Sequence, residues 1–278
     1  MKTSFFDGIE QTQIRIGEAL VNSPVFFRDL SFDAYVFSCD ARSAVARLPS
    51  GNYSPIRLPF GRCLSALLCL EHRDSDLGPY NEAALCVPLS AFGSHLLPDW
   101  LTVLREAIDG KLHAHILHMP VNSELALRGG VDYYGFPKFM AGVAFRHMQN
   151  VRACELTDRE NKFLSLRISP ERERGISLGA RNITFCSYPV KAGKPLLGRI
   201  DMQFDDLHAN FFPRLEHLEI GNSEMAEAAS LLLQHPIAHI SSRTARGILR
   251  LPVNSQPSAV LPTAGCEARS RLEAIRGS

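Results

Sequence analysis

The 278-residue chain lacks charge of one sign: 30 Lys+Arg stand against 29 Asp+Glu, a formal net charge of +1. No one-signed field is there to draw nucleic acid or an anionic membrane, so a small molecule is the expected partner. The chain also lacks an apolar run of about 20 residues, which a spanning helix needs. Residues 83–98, the most apolar of its long uncharged stretches, contain two prolines, a glycine and a histidine. The N-terminus has no apolar signal-peptide core, and Asp7 and Glu10 interrupt it early, so a cytoplasmic protein is expected. Seven cysteines, an odd number, include no CxxC pair and no histidines at zinc spacing. They read as reduced, mostly buried thiols rather than a disulfide framework. No Walker loop, GxGxxG or HExxH occurs, and Ser241-Ser242 has no GxSxG elbow around it.

What is present is ordinary globular material, with 45% hydrophobic and 21% charged residues. A chain of this size can bury a core without staples. Strand-like runs occur at 34–38, 63–70, 84–89, 112–118, 141–147, 163–168 and 183–188, several of them separated by turn clusters. Helices are expected over 8–21, over 41–48 behind an Asp40 cap and before Pro49, over 97–108, and over 223–234 behind a Ser223 cap. Many strands and few helices predict a mostly β (α+β) fold, a sheet or closed barrel with peripheral helices. One domain over residues 1–253 and a polar, flexible tail over 254–278 are expected.

The most informative segment is Val131–Ala141, VDYYGFPKFMA. Gly135 admits an unusual φ, and Pro137 fixes φ just before Lys138, so this lysine sits in a stiff aromatic stretch. Two readings are open for it: a turn lysine at the surface, or a lysine pressed into an apolar pocket. Burial disfavours an ammonium and makes a neutral amine available for attack on a ketone. Phe136 and Phe139 are suitable walls for such a pocket.

Asp132-Tyr-Tyr-Gly-Phe-Pro-Lys138 resembles the signature of the acetoacetate decarboxylase family, in which an acid precedes the reactive lysine by six positions. Acetoacetate decarboxylase is itself a standing example of an activated lysine. By this resemblance Lys138 falls on the Schiff-base lysine and Asp132 on the acidic position. Leu77-Gly-Pro-Tyr-Asn-Glu82 is similar to a second family motif, which puts Glu82 in the active site. Weaker similarities extend over about residues 22–252. Two departures stand out. Phe139 follows where the family commonly has a second lysine, and the family's carboxylate-binding arginine and a further glutamate align near Leu30, two residues from Arg28, and near Leu67.

The resemblance implies a closed antiparallel cone-shaped β-barrel with peripheral helices, assembled as a homo-oligomer. It also implies decarboxylation of a small β-keto acid through an imine on Lys138, assisted by Glu82. No metal or organic cofactor is expected, because the protonated imine is the electron sink. Arg28 or Arg128 would hold the substrate carboxylate. The altered positions keep two alternatives open, an aldolase-dehydratase acting on pyruvate-like keto acids and a non-catalytic binding protein. His113, His115 and His118 read as strand histidines rather than metal ligands. Strand alternation puts the first two on one face and the third on the other, and His115 is a candidate polar group for the pocket.

Overall fold

The computed structural model describes residues 4–49, 53–90, 101, 105–106, 108–148, 151–158, 161–168, 175–211, 213 and 215–254. In chain order the elements are β1 (Thr12–Ile16), β2 (Ala19–Ser23), β3 (Val25–Asp40), α1 (Ala41–Val45), β4 (Arg57–Leu58), β5 (Arg62–Ser75), β6 (Tyr80–Pro88) and β7 (Lys111–Val121). Then follow α2 (Glu124–Gly129), a π-helix (Gly130–Tyr134), β8 (Lys138–Met140), β9 (Gly142–Met148), β10 (Val151–Asp158), β11 (Asn161–Ile168) and β12 (Ile176–Ser187). The chain continues through β13 (Val190–Lys191), β14 (Lys194–Phe211), β15 (Leu215–Ile220), α3 (Glu224–Leu232) and β16 (His235–Asn254).

The fold is mostly β. In the large sheet the order β12-β14-β16-β3-β5-β6-β7 returns to its start, because β7 also pairs with β12. The result is a ring of seven strands, with β8 added beyond β7. The ring is not wholly antiparallel: β7 runs parallel to β12 and to β8. The second parallel pair follows from connectivity, since α2 and the π-helix carry the chain back across the sheet. A second sheet, ordered β15-β11-β10-β9, stands beside the ring.

Two buried cores follow from strand alternation. Leu30, Phe32, Val121, Met202, Phe204 and Ala245 fill the inner face of the ring. Tyr35, Phe37, Leu67, Cys69 and Leu85 point the other way and pack against Leu156, Leu164 and Leu166 of the second sheet and Met225 and Leu232 of α3. β3 and β5 are therefore covered on both faces, which is why they read as nearly continuous apolar runs. Among the described residues six cysteines are free and buried.

All seven strand-like runs fall on strands, with 84–89, 141–147 and 183–188 each overrunning the strand by one residue. Asp40 Oδ2 accepts from Ser43 N at 3.0 Å and Ser223 Oγ from Ala226 N at 3.0 Å, the two caps expected. The helix expected over 8–21 is instead the hairpin β1–β2, with Ile14 opposite Val21 and Gly17 turning the chain at φ +58°. The alternation of Thr12–Ile16 outweighs the helical spacing of Ile9, Ile14 and Val21, and Ile16 and Val21 bury into the inner core. Within 97–108 only residues 101, 105, 106 and 108 are described, all helical. The tail expected from residue 254 lies outside the described residues, apart from Asn254 at the end of β16.

Candidate active site

The register of three strands puts Lys138 and Glu82 on one face. Glu82 pairs with Val121 across β6–β7, and Met119 pairs with Lys138 across β7–β8. Opposed residues share a face, and Met119 and Val121 are two apart, so all four side chains point into the ring. Lys138 Nζ then donates to Glu82 Oε2 at 2.8 Å, with only 6% and 7% of the two side chains exposed. The lysine stem lies against Gly130. A Cβ there would stand 2.6 Å from Cε and closer still to Cδ, so only glycine leaves room. Nζ also lies 5.7 Å from the centroid of the Tyr80 ring.

A third ionisable group joins them. His72 pairs with Tyr80 across the β5–β6 ladder, and its Nε2 faces Glu82 Oε1 at 3.4 Å. Its ring is held between Phe27 at 4.5 Å and Tyr80 at 4.3 Å. The carboxylate beside Nε2 selects the tautomer with hydrogen on that nitrogen, which leaves Nδ1 as a buried acceptor without a partner among the described residues. Sequence reasoning missed His72. Its signal was the alternation Leu70-His72 answered by Tyr80-Glu82 across the RDSDLG turn, visible only once the hairpin register is known.

Burial pushes the Glu82 carboxyl up, but the charge of Lys138 and the hydrogen bond from His72 outweigh it and hold the pKa at about 2. The resting site is thus a buried Lys138–Glu82 ion pair, not an amine isolated among apolar walls. Apolar replacement of such a pair is often neutral or stabilising, so its presence marks function more than stability.

The other candidate residues separate. Phe136 belongs to the Lys138 side, clustering with Ala84, Met119 and Tyr134. Phe139 alternates to the opposite face and packs near Phe163, with ring centroids 6.3 Å apart. Arg28 is paired with Asp76 at 2.6 Å and Asp74 at 3.8 Å, tying β3 to the β5–β6 turn. Arg128 pairs with Glu124 at 2.8 Å on the exposed face of α2. Asp132 is exposed on the π-helix, and its carbonyl accepts from Lys191 Nζ. Leu30 is buried opposite His72, and Leu67 lies in the outer core.

His115 does not reach Lys138 either. A bulge in β7 near Leu117 shifts the register, so that His115 pairs with Val87 and His118 with Leu85, both outer-core residues. The expected alternation is broken there, and His115 and His118 line one groove of about 690 Å³ together with Gly135 and Pro137. Lys138 and Glu82 are not part of its lining. Nδ1 of His113 lies 2.7 Å from the Tyr188 hydroxyl, and Nδ1 of His115 lies 3.3 Å from the Tyr188 carbonyl. Among the described residues no group of three or more His, Cys, Asp or Glu is placed to hold a metal ion.

This architecture is shared with solved enzymes. Acetoacetate decarboxylase from Legionella pneumophila subsp. pneumophila str. Philadelphia 1 superposes with a TM-score of 0.62 at 13% identity, over 84% of this chain and 88% of that one. Another acetoacetate decarboxylase structure gives 0.59 at 14% identity, over 83% and 87%. The enduracididine biosynthesis enzyme MppR complexed with pyruvate gives 0.54 at 11% identity, over 83% and 89%. At these identities the likeness shows the fold alone. No curated protein matches the chain significantly in sequence. The sequence profile of the acetoacetate decarboxylase (ADC) family does match, over residues 55–241, a span that holds His72, Glu82, Tyr134 and Lys138, and the chain belongs to that family.

Proposed function

We propose that the protein decarboxylates a small β-keto acid through an imine on Lys138. The observation that carries this is the buried contact of 2.8 Å between Lys138 Nζ and Glu82 Oε2, on a face otherwise lined by apolar and aromatic side chains. Lys138 attacks the ketone carbon after its ammonium proton leaves, with Glu82 the acceptor in contact. Loss of water from the carbinolamine gives a protonated imine. The bond to the carboxylate then breaks, its electron pair moves through the α-carbon into the imine nitrogen, and CO₂ departs. Glu82, whose first proton left with the carbinolamine hydroxyl as water, takes a second proton from solvent and passes it to the α-carbon of the enamine, and hydrolysis frees the ketone and the lysine. His72 holds Glu82 in place from the side away from Lys138. Every proton carrier and the electron sink come from the chain and the substrate, so the reading uses no cofactor.

The family membership and a cytoplasmic homo-oligomer go together in this reading. No described helix is long and apolar enough to cross a membrane. A second reading, aldol condensation and dehydration on a pyruvate-like keto acid, is supported by the fold shared with pyruvate-bound MppR and by the sequence resemblance, in which the decarboxylases' arginine falls near the buried Leu30. The test is product analysis. Acetoacetate should yield CO₂ and acetone with the native chain and neither above background with Lys138→Ala. Turnover of pyruvate plus an aldehyde, with acetoacetate untouched, would favour the second reading. No turnover of either, with no adduct on Lys138, would point to a binding role.

A further inference from the structure

We propose that Tyr134 is the specificity-determining residue of this site, its hydroxyl taking the carboxylate of the keto acid bound to Lys138; the inference rests on Lys138 as the imine-forming group. The π-helix Gly130–Tyr134 serves the site at both ends. Gly130 seats the lysine stem, and Tyr134, four residues on, closes the helix. Such single turns of π-helix are frequent at functional sites. The Tyr134 ring stacks on Phe136 at 5.5 Å with an interplanar angle of 2° and is only 3% exposed. It packs with Met119, the ladder partner of Lys138, and with Ala84, the next inward residue after Glu82. Tyr80, whose ring faces Nζ, is close enough to Glu82 and Tyr134 that both, after burial itself, push its phenol up.

Among the described residues the Tyr134 hydroxyl has no hydrogen-bond partner. A buried hydroxyl without a partner carries a desolvation cost that a phenylalanine would not. Burial pushes this phenol above its ordinary range, so it stays a neutral donor. A carboxylate offers only acceptors, which suits a donor left unused. The other orphan nearby, Nδ1 of His72, is an acceptor in the tautomer that Glu82 selects and does not suit a carboxylate. Arg28 and Arg128, the guanidiniums first expected in this role, are paired with Asp76 and Glu124.

The test compares two carbonyl probes that differ in the carboxylate. The full chain is incubated with acetoacetate or with acetone under borohydride, and the rate of adduct formation is followed by mass spectrometry for the native chain and for Tyr134→Phe. The expected result is a fall of about tenfold or more with acetoacetate, as for a lost hydrogen bond to a charged group, and less than about twofold with acetone. The melting temperature of Tyr134→Phe should be unchanged or higher by about 2–4 °C, as removal of an unpaired hydroxyl predicts for this chain length. Equal losses with both probes, or no loss with either, would overturn the inference while leaving the imine intact. A native chain that forms no adduct with either probe would overturn the imine reading and this inference with it.

Discussion

Glu82 is shared between two partners: Oε2 lies 2.8 Å from Lys138 Nζ, and Oε1 lies 3.4 Å from His72 Nε2. The carboxylate therefore has no rotamer to search when a substrate arrives. Each neighbour is held in turn by packing, Lys138 by Gly130 and His72 by Phe27 and Tyr80. Such support keeps reacting groups within the narrow geometry that catalysis requires.

Removing one member of the pair should cost more than removing both. Lys138→Met leaves a carboxylate buried beside a histidine alone, and a loss of about 3–5 kcal/mol is expected in urea unfolding. Lys138→Met combined with Glu82→Gln should recover most of it, because no unpaired charge remains. Equal losses for single and double variants would contradict an ion pair at this position.

His72→Phe keeps the stacking between Phe27 and Tyr80 but removes the nitrogen facing Glu82. We expect kcat to fall by about 10–100-fold with KM changed by less than about threefold, the range for a disturbed proton carrier. His72→Gln, which restores a donor, should recover part of the rate. A purely structural role would instead show lowered melting temperatures with kcat intact.

Gly130→Ala is a steric test of the lysine seat. The added methyl meets the flexible stem of Lys138 rather than backbone, so the stem should move while the fold survives. A displacement of about 1 Å can cost on the order of 100-fold in rate. Activity should drop by at least tenfold with a stability loss of about 1–3 kcal/mol or less. Unchanged activity would mean that the lysine is not held where the structure has it.

Acid should weaken the fold in two successive windows. Burial, with a smaller contribution from the Lys111 charge, lowers His113 from 6.5 to about 4. Between those values the unfolded chain binds more protons than the folded one, so this contribution is complete above about pH 6.5 and is lost as pH falls to about 4. His115 and His118, lowered mainly by burial, act in the same direction. Glu82, lowered from 4.5 to about 2, contributes fully above about pH 4.5 and loses that contribution as pH falls toward 2. The urea midpoint should therefore decline from pH 6.5 downward, and His113→Gln should flatten the upper part. A midpoint level from pH 6.5 to 4 would contradict neutral, half-buried histidines.

The site was legible where local chemistry sufficed. The stiff Tyr-Gly-Phe-Pro-Lys segment and the acid after Leu-Gly-Pro-Tyr-Asn pointed to Lys138 and Glu82, and the two meet. The caps at Asp40 and Ser223 were legible for the same reason, since each is settled within three residues. Long-range register was not legible. His72 enters only through its pairing with Tyr80, Phe139 leaves through alternation in β8, and His115 leaves through the β7 bulge. Arg28 and Arg128 were plausible by position, but acids distant or local in sequence, Asp76 and Glu124, hold them. At 8–21 the pattern was ambiguous between helix and strand, and cross-strand contact of Ile14 with Val21 decided it.

Peptide mapping after borohydride reduction reads out a covalent imine on Lys138. With acetoacetate, and separately with pyruvate, the native chain should carry one reduced adduct, located on Lys138 and missing from Lys138→Ala. Adducts scattered over surface lysines, or none on Lys138 with either compound, would rule out Lys138 as the imine-forming group.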